Sequence, residues 1–85
     1  MGALTPRRRS TVAGEVVTVV SVERPLVRTD AEITDGTGSV VLRFVGRRGV
    51  PGLVPGRKVV AEGTPTAGRG TMVMLNPLYS FIGDC

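Results

Sequence analysis

Alternating apolar and polar residues dominate the chain from Thr11 onwards. The valines of the first run fall on even positions, at Val12, Val16, Val20 and Val22. A period of two built from β-branched residues predicts a long β-strand. Val17 and Val19 are apolar as well, so the middle of this strand is predicted to be covered on both faces. Gly14 predicts a bulge or bend, and a long bent strand that is buried on both faces can serve two sheets at once, as in a barrel.

Two shorter alternating runs follow, and a glycine-rich turn separates them. The run from 27 to 34 has Val27, Thr29, Ala31 and Ile33 on one face. The run from 40 to 45 has Val40, Leu42 and Phe44 on one face and Val41, Arg43 and Val45 on the other. The turn between them reads DGTG, and Asp35 at its start is expected to bond the turn backbone. This arrangement predicts a β-hairpin.

In the second half of the chain, segments rich in glycine and proline separate the predicted strands. Residues 46–56 contain four glycines and two prolines, which disfavours a helix. We expect the apolar residues of this segment, Val50, Leu53 and Val54, to cover one end of a barrel. Residues 57–63 and 71–81 predict a fourth and a fifth strand joined by a loop, and Pro77 predicts an edge or a break in the fifth.

Five strands without a substantial helix predict an all-β domain that closes on itself to protect its edges. The expected architecture is a five-stranded antiparallel Greek-key barrel, the OB-fold, over residues 11–82, with the helix between strands three and four shortened or absent. A small SH3-like barrel is the alternative. Residues 1–10, which contain three consecutive arginines, predict a flexible basic arm, and residues 83–85 a short tail.

Two stretches also resemble a known family. They read ITDGTGSVVLRFVGRRGVPGLVPGRKVVAEG and GRGTMVMLNPLYSF, and they combine a G-T-G turn, a P-G before strand four, a V-x-E-G at its end and an M-x-x-x-N-P-x-Y strand. This order is similar to that of the OB-fold wedge of the helicase RecG and of small stand-alone bacterial OB-fold nucleic-acid-binding proteins. The resemblance covers residues 12–82 and implies a domain that binds nucleic acid.

Composition points in the same direction. The 85 residues include eleven Lys or Arg against seven Asp or Glu, giving a net charge of +4, and a basic domain favours polyanionic partners. Codon usage in a GC-rich genome is an alternative cause of the arginine excess. One cysteine, Cys85, permits no intrachain disulfide and fits the cytoplasm, and no apolar run is long enough to cross a membrane. Without histidine or paired carboxylates we expect no catalysis, no metal and no cofactor.

The OB-fold geometry implied by the resemblance puts the ligand across strands two and three and the loops beside them. The predicted phosphate partners are Arg24, Arg28, Arg43, Arg47, Arg48 and Arg69, and Tyr79 is the candidate for base stacking. The expected ligand is DNA or RNA, bound without strong sequence preference.

A second hypothesis comes from the same outer face. Val41 and Val45 flank Arg43 there, and an apolar stripe on a small barrel favours contact with another subunit or protein. The alternative function is therefore a protein-interaction module that forms a homodimer or part of a larger complex.

The acids of strand two count against nucleic-acid binding over that strand. Asp30 and Glu32 share the face of strand two with Arg28, and their negative charges repel a phosphate backbone that passes directly over them.

Overall fold

The protein is described by a computed structural model covering residues 8–24, 26–47, 49–67 and 70–82. None of these residues is helical, so this part of the chain has no helix able to cross a membrane. Seven strands form one curled sheet: β1 Ser10–Val22, β2 Arg28–Thr34, β3 Ser39–Val45, β4 Lys58–Gly63, β5 Pro65–Ala67, β6 Met72–Leu75 and β7 Leu78–Phe81. The all-β prediction is confirmed.

Strand β1 lies between β2 and β4 and pairs with both. The strand order is β5-β6-β3-β2-β1-β4-β7, and β1 pairs with β4 through residues 10–15 and with β2 through residues 15–22. Only Glu15 has a Cα partner on both sides, Thr34 of β2 and Lys58 of β4. The sequence predicts a long strand that serves two sheets, whereas β1 joins two neighbours within a single sheet.

The bulge in β1 lies at Val17, not at Gly14. Pairing with β2 shifts between Val16 and Thr18, whereas pairing with β4 is regular through Gly14. One extra residue reverses the facing of all that follow. Val12 and Val16 are therefore buried as predicted, but Val20 is 54% exposed and Val19 packs against the core instead.

The predicted covering of both faces in the middle of β1 is wrong as well, because Val17 is 47% exposed. A residue inserted as a bulge has no cross-strand partner on that edge, so nothing opposite shields its side chain.

The alternation in β2 and β3 is confirmed. Every second residue of these strands is fully or almost fully buried: Thr29, Ala31, Ile33, Val40, Leu42 and Phe44. Thr29 is the one polar member, and its hydroxyl donates to the backbone carbonyl of Arg47 at 2.9 Å. At the hairpin turn, Asp35 Oδ1 accepts from the backbone N–H of Thr37 at 2.9 Å, which is the turn bond that the sequence predicts.

Two consecutive V-P-G turns replace a helix between β3 and β4. The backbone N–H of Leu53 donates to the carbonyl of Val50, and that of Arg57 to the carbonyl of Val54, both at 3.1 Å. A type II turn requires a positive φ at its third position and often has proline at its second, and Gly52 and Gly56 have φ of 82° and 91°.

The covering role predicted for this segment is confirmed in part. Val50 and Leu53 are buried in the core, but Val54 is 54% exposed.

The strand count differs from the prediction because the predicted fifth strand is divided into β6 and β7, and because the predicted loop before it contains a further short strand. Residues 65–67, expected in a loop, form β5 and pair with β6, while β4 pairs with β7. The break at Pro77 is confirmed, since it lies between β6 and β7. The all-antiparallel prediction is wrong for one pair, because β6 runs parallel to β3. Since β4 is antiparallel to β1 and β5 continues in the direction of β4, a strand antiparallel to β5 runs in the direction of β1 and β3.

Asn76 produces the break between β6 and β7. Its φ of 48° lies in the left-handed region, which asparagine tolerates better than most residues. Its backbone N–H donates to the carbonyl of Arg43 at 2.6 Å, and its Oδ1 accepts from the backbone N–H of Val45 at 2.9 Å. Asn76 thus extends the bonding of β3 beyond the end of β6 and redirects the chain into β7.

Gly52 and Gly56 offer a matched test of the covering segment. A Cβ on Gly52 comes within 2.9 Å of the Phe81 ring, whereas one on Gly56 meets nothing within 4 Å. Both Gly→Ala variants incur a backbone strain of about 1–2 kcal/mol, and Gly52→Ala adds about 1–3 kcal/mol for the contact with Phe81. Urea unfolding should therefore show a larger loss of unfolding free energy for Gly52→Ala. Equal losses would mean that Phe81 moves aside freely.

Candidate nucleic-acid interface

The outer face of the sheet carries a row of four side chains in register across four strands. Cα pairing connects Val20 of β1 to Asp30 of β2, Asp30 to Arg43 of β3, and Arg43 to Leu75 of β6. We call these four residues the central row. Its two charged members lie in the middle and its two apolar members at the ends, where Val20 is 54% and Leu75 58% exposed.

Arg43 is bound to the adjacent strand by its opposite charge. Its Nε lies 3.1 Å from Asp30 Oδ1, and its Nη2 lies 3.3 Å from Asp30 Oδ2, a two-point contact that the planar guanidinium favours. Arg28 reaches the same carboxylate, with Nε 3.5 Å from Oδ2. Asp30 is the least exposed of the three, so it is a shared anchor for both arginines.

The charge on this face is uneven along the strands. Arg28 and Arg43 face Asp30 near the start of β2 and the end of β3, and Glu32 lies further along β2 towards the acidic hairpin turn at Asp35. Two arginines and two acids on the strands themselves cancel. Further arginines lie beyond the strand ends, in the segments before β2 and after β3, and Glu23 offsets the charge of the one before β2.

Arg24 and Arg47 occupy those segments. Arg24 lies in the connection between β1 and β2, and Arg47 follows β3 directly. The Arg47 backbone is fixed because its carbonyl accepts from Thr29 and because the preceding Gly46 N–H donates to the carbonyl of Val27 at 2.7 Å. Within the described residues, no ion pair involves either side chain. We call the part of the surface formed by Arg24, Arg28, Arg43 and Arg47 the basic end.

Tyr79 lies on the inner side of β7 and takes part in packing. Its ring contacts Phe44 edge to face at a centroid distance of 5.3 Å and Phe81 at 5.8 Å. Its hydroxyl accepts a long hydrogen bond of 3.4 Å from Arg47 Nη1. The ring is half-buried, so the structure connects Tyr79 both to the core and to the basic end, and its role in stacking a base stays a prediction.

The sequence did not single out Arg57. Its guanidinium lies 4.4 Å from the centroid of the Phe81 ring, a cation–π distance, and its buried Nε has no hydrogen-bond partner. Its position directly after the second V-P-G turn is the signal that points to a structural role. Arg57 therefore supports the covering segment, and the Phe81 and Tyr79 rings connect it to Arg47 of the basic end.

Two other charged places lie apart from the basic end. A groove of about 480 Å³ between β1, the hairpin turn and the start of β4 is lined by Glu15, Asp35 and Lys58 among others. Arg9 pairs with Glu62 of β4 at 3.3 Å. Within the described residues, no three acidic, cysteine or histidine side chains group closely enough to hold a metal ion.

The remaining predicted positions lie outside the described residues. These are Arg48 and Arg69 of the predicted site, residues 1–7 of the predicted arm and residues 83–85 of the predicted tail. Of the arm as predicted, Ser10 belongs to β1.

Comparison of the sequence with known protein families and curated proteins found no significant match.

Two variants of Tyr79 separate the contribution of its ring to packing from that of its hydroxyl group. Tyr79→Phe keeps both ring contacts and loses only the long bond to Arg47, so we expect a change in unfolding free energy below about 0.5 kcal/mol. Tyr79→Ala removes the ring between Phe44 and Phe81, and about 2–4 kcal/mol should be lost. Urea unfolding of both variants measures the difference, and a small effect of Tyr79→Ala would show that the ring contributes little to packing.

Proposed function

We propose that this chain is a non-enzymatic OB-fold module that binds DNA or RNA with little sequence preference through its basic end. The observation that carries the proposal is the gathering of Arg24, Arg28, Arg43 and Arg47 where β2 begins and β3 ends. Arginine suits this role because its planar fork donates two parallel hydrogen bonds to phosphate.

The strand pairing supports the OB-fold assignment. Residues 58–67 contain β4 and β5, residues 72–81 contain β6 and β7, and the two segments pair antiparallel along most of their length. If each segment is counted as one interrupted strand, five strands remain, and the ends of the strand order belong to one hairpin. A five-stranded barrel closed by this hairpin is the arrangement expected of an OB-fold.

The electrostatics restrict how a nucleic acid would bind. Glu32 and the turn at Asp35 repel a phosphate backbone that follows β2 along its whole length. The favourable route therefore crosses the basic end, from the β1–β2 connection to the segment after β3. With Tyr79 as the single stacking candidate, binding depends mainly on phosphate contacts and falls steeply with added salt.

The direct test is fluorescence anisotropy of labelled single-stranded and duplex oligonucleotides at several salt concentrations. The double variant Arg24→Ala/Arg47→Ala removes two charges from the basic end. We expect weaker binding and a salt slope that is shallower by about 1.4 for a single strand, since each phosphate contact contributes roughly 0.7.

The matched control is Arg9→Ala/Lys58→Ala. It removes the same charge from the side of β1 that pairs with β4. Its salt slope should equal that of the unaltered protein. Equal losses in the two double variants would mean that net charge alone attracts the nucleic acid, and no binding at low salt would rule out the function.

Asp30 gives a prediction of the opposite sign. A phosphate that reaches Arg43 or Arg28 competes with the Asp30 carboxylate, which forms an ion pair with each of them. Asp30→Asn removes that competitor and one negative charge, so affinity should rise several-fold at low salt. The same titrations measure it, and an unchanged affinity would restrict the phosphate contacts to Arg24 and Arg47.

A second candidate function is a protein-interaction module. The observation that favours it is the exposure of Val20 and Leu75 at the two ends of the central row. Val45, which lies two residues after Arg43 on β3, is exposed as well. These side chains flank the charged pair on both sides, so a partner would meet apolar surface around a polar centre, and exposed apolar surface of this kind marks interaction sites.

A further inference from the structure

The central row has a symmetry that the whole sheet lacks. Read across the strands it is apolar, acidic, basic, apolar, in the order Val20, Asp30, Arg43, Leu75. Reading it in the reverse direction exchanges the acid and the base and leaves the apolar ends in place. A surface with this property is complementary to a rotated copy of itself, which is the condition for an isologous dimer.

The geometry points to a homodimer in which two copies pack their outer sheet faces together, about a two-fold axis that runs along β2 and β3 and passes between them. This inference goes beyond nucleic-acid binding and rests on the second candidate function, to which it assigns one partner, a second copy of this chain.

The two-fold axis places complementary residues opposite each other. Each residue of β2 faces the residue of the second copy that corresponds to its own partner on β3. Asp30 therefore faces Arg43 of the second copy, and Arg43 faces its Asp30. Because each copy keeps its internal Asp30–Arg43 pair, four side chains form a ring of alternating charge.

The neighbouring rows place no like charges opposite each other. Arg28 is paired with Val45 within the sheet, and Glu32 with Val41. Across the axis these charges therefore meet valine, and the apolar ends of the central row meet as Val20 against Leu75. Opposed like charges are a common barrier to self-association, and this arrangement avoids them.

The surface area that the two copies can bury against each other limits the affinity of the dimer. Four strands at about 4.8 Å spacing and six residues at about 3.3 Å cover roughly 400 Å² on each copy. A total of about 800 Å² lies below the range of stable specific interfaces, which begins at about 1,200 Å², and is typical of weak, transient contacts. We therefore expect a reversible dimer in the micromolar range or weaker, visible in sedimentation velocity as the concentration rises.

The symmetry also determines where the two basic ends lie. An axis parallel to the strands keeps the start of β2 and the end of β3 on the same side in both copies. Arg24 and Arg47 of the two copies then lie at one end of the dimer, and the hairpin turns lie at the other. Arg43 is buried between the two copies, but Arg24 and Arg47 of each copy remain exposed. The dimer therefore presents twice as much of this cationic surface as a single copy.

Charge-swap variants test the pairing directly. Asp30→Arg gives the central row two cations, and Arg43→Asp gives it two acids, so each variant alone should be monomeric at concentrations where the unaltered protein dimerises. Mixing the two should produce a heterodimer, because a doubly positive row then meets a doubly negative one. The double variant Asp30→Arg/Arg43→Asp should dimerise with itself. Native mass spectrometry distinguishes these species.

Two controls keep the outcomes separate. Arg9→Asp changes charge outside the central row and should leave dimerisation unaltered, and circular dichroism confirms that each variant is folded. Monomers at all concentrations for the unaltered protein, or a mixture without heterodimer, overturn the inference. Salt-dependent oligonucleotide binding by that monomer would show that the nucleic-acid function stands without the dimer, whereas a dimer without such binding would leave only the interaction function.

Discussion

The pairing of β1 along both of its edges is the constraint on which the rest of the fold depends. Its first half belongs to the β4 side and its second half to the β2 side, and the bulge at Val17 lies where the two meet. At this point the backbone of Val16 bonds to the segment before β4, donating to the carbonyl of Arg57 at 2.9 Å and accepting from the N–H of Gly56 at 2.8 Å. The segment that contains the V-P-G turns is therefore hydrogen-bonded to β1 at Val16, next to the bulge.

The outer face shows why a count of arginines overstates the charge that a ligand meets. Asp30 holds Arg43 and Arg28 in place, and an exposed or half-exposed ion pair of this kind contributes little stability, about 1 kcal/mol or less. Its larger effect is on geometry, because it keeps two long side chains flat against the sheet. The same contact lowers the charge of the face and creates the pattern by which two copies match.

Much of the fold was predictable because alternation in β2 and β3 is unbroken. Regular strands need only a period of two, and their buried residues follow from it. The bulge was misplaced because Gly14 is the conspicuous residue, whereas register depends on how β1 is shared between two neighbours. The cross-strand contact of Arg43 with Asp30 and the role of Asn76 depend on which strands lie side by side, and a period in the sequence carries no such information. Arg57 was missed for the same reason, since Phe81 is distant in the chain.

The pairing of β1 with β4 also affects how the chain folds. Ser10 lies opposite Gly63, and Arg9 bonds to Glu62 across 53 residues of sequence. The β1-β2-β3 meander contains only short loops, so it can form while the chain is still being synthesised. Closure by β4 has to wait until the last residues of that strand are available. Loop-closure entropy makes such distant contacts slow, and until they form, the first half of β1 is an unpaired edge that is vulnerable to association with other chains.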